Sequence, residues 1–132
     1  MKQQHATKTE TIAKPETVAP RTRSRGIRKA KFRLGQVVRH RHYPFRGIIF
    51  DVDPVFNSSE EWWQSIPARI RPRKNQPFYH LLAENEETEY VAYVSEQNLV
   101  PDTSRTPLRH PQVSELFTRQ RNGGYRAIVQ SH

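Results

Sequence analysis

Apolar and polar positions alternate in short runs through the middle of this chain, and the runs predict strands. The clearest is Phe45-Arg46-Gly47-Ile48-Ile49-Phe50-Asp51-Val52-Asp53-Pro54. Ile48, Phe50 and Val52 alternate with Gly47, Ile49, Asp51 and Asp53, so one face is wholly apolar and the other turns polar toward the end. Near Ile48–Phe50 both faces are apolar, which places the strand inside a sheet rather than at its edge. Phe32, Leu34, Val37 and Val38 predict a strand before it, with Gly35 allowing a bend or bulge. Tyr43-Pro44 marks a turn, so residues 37–52 read as a hairpin with its loop at His42–Phe45. Phe78–Ala83 and Glu89–Val94, rich in aromatic and β-branched residues, predict a second hairpin around the polar turn Asn85–Thr88. Ser95–Asn98 reads as one helical turn and Leu99-Val100 as a brief closing strand before Pro101. Two hairpins and a closing strand fold most easily into a small antiparallel barrel of about five strands.

Two stretches interrupt this pattern. Pro54 to Gln76 is long for a connection in a compact domain, and such insertions are usually functional. Ser58 is placed to cap a helix with Glu61 three residues on, and Trp62–Ile66 continues for about two turns until Pro67 stops it. Arg69, Arg71, Arg73 and Lys74, separated by Pro67, Pro72 and Pro77, then form a stiff basic loop. Further on, Pro111–Phe117 predicts a short helix with Val113, Leu116 and Phe117 on one face. Asn122-Gly123-Gly124 ends it and Tyr125–His132 reads as frayed. The expected organisation is a disordered basic tail at 1–31, a mainly β barrel domain with a short helical insert at 32–117, and a flexible C-terminal tail at 118–132.

Charge sharpens these boundaries. Residues 1–31 hold nine Lys and Arg against Glu10 and Glu16, whereas residues 32–110 hold ten basic and ten acidic residues. The formal net charge of +9 thus belongs mainly to the leader, not to the domain. The run Arg21, Arg23, Arg25, Arg28, Lys29, Lys31 suits non-specific phosphate contact or an organelle transit segment, but like-charge runs are common in disordered tails, so a solvated linker is the first expectation. With 34% hydrophobic residues and a mean hydropathy of −0.90, a small packed domain with polar extensions is expected. The chain contains no Cys, which excludes disulfides, thiolate metal sites and Cys nucleophiles. No apolar run reaches membrane-spanning length and no apolar signal core opens the chain, so a soluble, cytoplasmic protein is expected.

Little points to catalysis. Asp51 and Asp53 share a strand face and suit acid–base work or a hard cation, but an Asp ahead of Pro at a strand end is more often a turn former. None of the six His shows a zinc spacing; His40 and His42 read as exposed residues near a turn, His80 as a partly buried residue bonded to backbone. Trp62 and Trp63 are adjacent, so one packs while the other is a candidate for binding a protein partner or stacking on bases. No Gly-rich phosphate loop or nucleophile elbow is present, so no catalytic, metal or cofactor site is assigned.

Four co-linear segments together resemble one family. Phe32–His40, Gly47–Pro54, Gln76–Leu82 and Tyr90–Leu99 are similar to the HspQ family, also called YccV-like or hemimethylated-DNA-binding, over about residues 31–117. The Arg71-Pro72-Arg73-Lys74 insert and the paired Trp look like the alphaproteobacterial branch. The resemblance implies a bacterial cytoplasmic heat-shock protein with an SH3-like barrel and no enzymatic activity. It also implies two roles: assisting a Lon-type protease and its substrates, including control of the replication initiator DnaA, and binding hemimethylated double-stranded DNA at the origin. Modulation of Lon ranks first on the neutral barrel and the candidate Trp62 and Trp63. DNA binding ranks second, through Arg21, Arg23, Arg25, Arg28, Lys29, Lys31, Arg39, Arg41, Arg69, Arg71, Arg73 and Lys74. A metal-dependent enzyme is a distant third. The resemblance and the exposed edges of a short barrel also point to a homo-oligomer.

Overall fold

The computed structural model describes residues 30–128. Arg21, Arg23, Arg25, Arg28 and Lys29 lie outside the described residues. Five strands, β1 (Val37–His40), β2 (Arg46–Asp53), β3 (Phe78–Glu84), β4 (Glu89–Ser95) and β5 (Leu99–Pro101), form one antiparallel sheet in the order β4-β3-β2-β1-β5. Val38, Ile49, Val52, Tyr79, Leu81, Ala83, Ala92, Val94 and Leu99 are buried in one cluster, and every strand contributes to it. A sheet whose five strands share one apolar cluster must curl around it, which gives the expected small barrel. A one-turn 3₁₀ helix at Glu96–Asn98 carries the chain from β4 into β5.

The alternation in β2 is not continuous. Ile49 pairs with Leu81 but Asp51 pairs with His80, so Phe50 is an extra residue, a β-bulge. Ile49 and Val52 therefore both face the barrel interior, while Ile48, Asp51 and Asp53 face outward. Simple period-2 reading put Val52 with Ile48 and Phe50; the bulge reassigns it. Gly47 is required by contact rather than by dihedral angle, since a Cβ there would lie 2.6 Å from the Leu82 carbonyl oxygen.

The barrel's outer face is covered at both ends. One cover is the insert. Its helix α1 (Glu60–Gln64) is capped by Ser59, one residue later than the sequence predicts, whose side chain accepts from the Trp62 backbone N–H. Trp62, Ile66 and Ile70 pack on Phe78 and Tyr93. The other cover follows β5. A short helix α2 (Val113–Leu116) leads into β6 (Phe117–Arg119), which pairs with β7 (Tyr125–Ala127). Val113 and Phe117 pack on Ile48 and Leu82. The sequence reading ended the domain at Phe117 and left residues 118–132 as a tail; through residue 128 they form a hairpin instead. Gly123 at φ 91° makes its turn rather than stopping a helix. With both faces covered, all seven residues of β3 are buried.

Candidate nucleic-acid interface

The turn at Glu96–Asn98 gathers three distant parts of the chain. The Lys31 backbone N–H donates to Glu96 Oε2 at 2.8 Å, Arg41 Nε donates to the Gln97 carbonyl at 2.8 Å, and the Arg73 backbone N–H donates to Gln97 Oε1 at 3.2 Å. Behind them Gln76 Nε2 donates to Gln97 Oε1 at 2.7 Å and Asn98 Nδ2 to the Ile70 carbonyl at 3.2 Å, locking the insert to the turn. Lys31, Arg41 and Arg73 are all exposed, and Arg69 stands on the adjoining 3₁₀ turn Ala68–Ile70. The acid of this turn faces inward. Glu96 Oε2 also accepts the Tyr79 hydroxyl at 2.7 Å, and burial pushes that phenol above its ordinary pKa, so it stays a donor at neutral pH. The result is an exposed basic arc where the basic leader joins the barrel.

Not every predicted base joins this arc. Arg71 donates to the carbonyls of Ile66 and Gln64, and its guanidinium lies 5.1 Å from the centre of the Trp63 ring. The Lys74 ammonium sits 4.5 Å from the same ring and pairs with Glu60, which holds the Glu60 carboxyl below its ordinary range. These two cations clamp Trp63, whose Nε1 donates to the Pro72 carbonyl at 2.8 Å. Trp62 is buried and Trp63 half-buried. Both thus help pack the insert onto the sheet, against Phe78 and Tyr93. Arg39 is exposed on the outer face of β1, across from Arg46. Arg46 is engaged by Glu84 at 3.0 Å and Asp102 at 2.9 Å.

Histidines and acids also sit differently from their sequence readings. His40 is buried rather than exposed: its Nδ1 accepts from the backbone N–H groups of His42 and Tyr43, and its ring stacks 4.8 Å from Tyr43. His80 is buried against a carboxylate rather than bonded to backbone, with Nε2 3.1 Å from Asp53 Oδ2. The same oxygen accepts the Tyr93 hydroxyl at 2.8 Å. Asp53 is thus a buried acceptor tying β2 to β3 and β4, not a turn former. Asp51, Asp53 and His80 offer three ligand atoms within 4.8 Å of one another, the set that would hold a cation here. Tyr93 and His80 both already direct hydrogen bonds to Asp53, and Asp51 Oδ1 accepts from Val52 N–H at 2.9 Å, so the group is internally satisfied and reads as structural.

A second basic group escaped the sequence reading. Arg33, Arg105, Arg119, Arg121 and Arg126 are exposed around the C-terminal hairpin. They are scattered along the chain, and only the β6–β7 pairing collects them. Asn122-Gly123, a dipeptide favoured in hairpin turns, was the available signal.

The described residues thus form a small barrel with two covers and exposed basic clusters. Residues 30–124 match the family described as Hemimethylated DNA-binding protein YccV like, and the chain belongs to that family. Among curated proteins it is similar to F-box only protein 21 of Mus musculus, 27% identical over 88 residues that make up 66% of this chain and 14% of that protein. The Homo sapiens and Pongo abelii proteins of the same name are each 26% identical over the same span. The chain therefore corresponds to a small part of these relatives. No solved structure gives a significant match. Among the described residues no helix is long and apolar enough to cross a membrane.

Proposed function

We propose that this chain is a non-enzymatic double-stranded DNA-binding module that grips the phosphate backbone. The observation that carries the reading is the convergence of Lys31, Arg41 and Arg73 on the turn Glu96–Asn98, at the point where the basic leader enters the domain. Exposed cations without carboxylate partners are what counterion release requires, and the family's printed description points the same way. Helices α1 and α2 span five and four residues, and buried side chains of both pack on the sheet, so among the described residues no helix is free to lie in the major groove and read bases. Preference for a hemimethylated site then rests on loops or on duplex shape.

The test is a salt titration of duplex affinity. Each phosphate contact contributes about 0.9 to the slope of log K against log salt. Removing residues 1–29, which hold eight Lys and Arg, lowers that slope by several units; Arg41→Gln with Arg73→Gln lowers it by about two. Duplexes of one sequence in unmethylated, hemimethylated and fully methylated form measure the preference. Equal affinity for all three leaves a general duplex binder, and no salt-dependent binding at all ends the proposal. Modulation of a Lon-type protease in a bacterial cytoplasm, and self-association through the β4 edge, stand behind this reading. Trp62 and Trp63, the proposed protein contacts, are used within the fold. Adding the purified protein to Lon and a model substrate and following the degradation rate separates the two roles.

A further inference from the structure

The C-terminal hairpin overhangs the loop that follows β5, and a cleft of about 440 Å³ opens between them. Arg33, Arg46 and Arg105 line it, and Asp102 is its one acidic residue. That carboxylate shares the Arg46 guanidinium with Glu84, at 2.9 Å, and accepts the Ser104 hydroxyl at 3.0 Å. Arg33 and Arg105 have no carboxylate partner among the described residues, so the cleft carries uncompensated positive charge. Its walls are fixed. Tyr125 accepts the Leu108 backbone N–H at 3.0 Å, and the Arg119 guanidinium lies 5.5 Å from the Tyr125 ring centre.

Arg105 is held in a costly conformation. At φ 64° it is the single non-glycine residue with positive φ among the described residues. Arg119 Nη2 holds it there by donating to its carbonyl at 3.1 Å. Strain kept at a charged, exposed residue beside a cleft marks a positioned ligand-binding group. Two guanidinium forks in a polar cleft suit the oxygens of a phosphate.

We propose that this cleft is a phosphate site with Arg33 and Arg105 as its ligands, and that on duplex DNA it takes a backbone phosphate. The second clause rests on the DNA-binding reading above.

The experiment uses the full chain and three variants: Arg33→Gln with Arg105→Gln, the Lys pair Arg33→Lys with Arg105→Lys, and Arg41→Gln with Arg73→Gln. Duplex affinity is read by anisotropy across salt, and pyrophosphate binding by calorimetry, with circular dichroism to confirm folding. The Gln pair at 33 and 105 is expected to lower the salt slope by about two and affinity by roughly tenfold or more near 0.1 M salt, with the Lys pair recovering most of both. Loss of pyrophosphate binding in the same Gln pair supports the site directly. Unchanged slope and unchanged pyrophosphate binding in that pair overturn the inference, while a fall in slope for Arg41→Gln with Arg73→Gln keeps the DNA reading intact. If the unaltered chain binds no duplex, the DNA reading fails; pyrophosphate binding that depends on Arg33 and Arg105 then leaves a site for free phosphates, and its absence removes the site as well.

Discussion

The two covers of the sheet solve the same packing problem and treat their cations in opposite ways. The insert of residues 54–77 buries Trp62, Ile66 and Ile70 and turns Arg71 and Lys74 inward over Trp63. The C-terminal cover buries Val113 and Phe117 and leaves Arg121 and Arg126 in solvent, with Arg105 exposed on the loop beside it. In sequence the insert's bases are concentrated within residues 69–74 and form the most conspicuous basic run of the domain. In space half of that charge is spent on holding one indole, so the run presents no more free cations than the less conspicuous hairpin does. A count of Lys and Arg therefore ranks candidate nucleic-acid contacts poorly; whether each cation is already held by a ring or a carboxylate ranks them better.

Substitutions at the two covers test this contrast. Trp62→Ala empties a buried indole site and is expected to cost about 3–5 kcal/mol in denaturant unfolding, and to lower the DNA salt slope of the folded fraction by no more than about one, through Arg73 on the same insert. Phe117→Ala is expected to cost about 3 kcal/mol and also to lower the slope, because it loosens the hairpin that carries Arg119 and supports Arg105. If the two variants affect DNA equally, the contrast is wrong. Arg71→Gln removes a stacked cation and is expected to cost about 1 kcal/mol while leaving the slope unaltered; a drop near 0.9 would return Arg71 to the interface.

The smallest effect is set by pH. Burial holds the His110 pKa below its ordinary value of 6.5, against the opposing pull of Glu89 and Glu84. The unfolded chain then takes up the proton first as pH falls through 6.5, so the folded state loses stability from there down to the lowered value. The thermal midpoint is expected to decline between pH 6.5 and 5.5, and His110→Asn, which keeps an acceptor for the Gln112 N–H, is expected to flatten that decline.

The sheet was legible because its signals are local. Turn residues at Tyr43-Pro44 and Asn85–Thr88 separate runs of β-forming residues, and β2, β3 and β4 fall on those runs, whereas β1 begins only at Val37, after a turn at Leu34-Gly35, and takes in Arg39 and His40. Asn85 shows why: its Oδ1 accepts from the backbone N–H groups of Glu87 and Thr88, a turn written into the side chain itself. What stayed hidden depends on distant partners. His40 is polar in sequence, yet Tyr43 and Phe45 enclose it. Strands β6 and β7 have three residues each, too few to display a period. The first basic cluster was half legible, since Arg41 and Arg73 stood out as charges; nothing local says that Gln97 would join them.

Phe50 carries a consequence for length variation in this strand. In a strand without a bulge, losing one residue would swap every later side chain between interior and exterior. Because Phe50 has no cross-strand partner, removing it would leave Ile49 opposite Leu81 and Asp51 opposite His80. Removing Ile49 instead would seat Phe50 opposite Leu81 in the same register, with a larger side chain in the interior, so the bulge lets the strand lose a residue at a cost in packing but not in topology. Comparing the thermal midpoints of the two single-residue deletions would show whether the bulge is a tolerated surplus or a fixed joint.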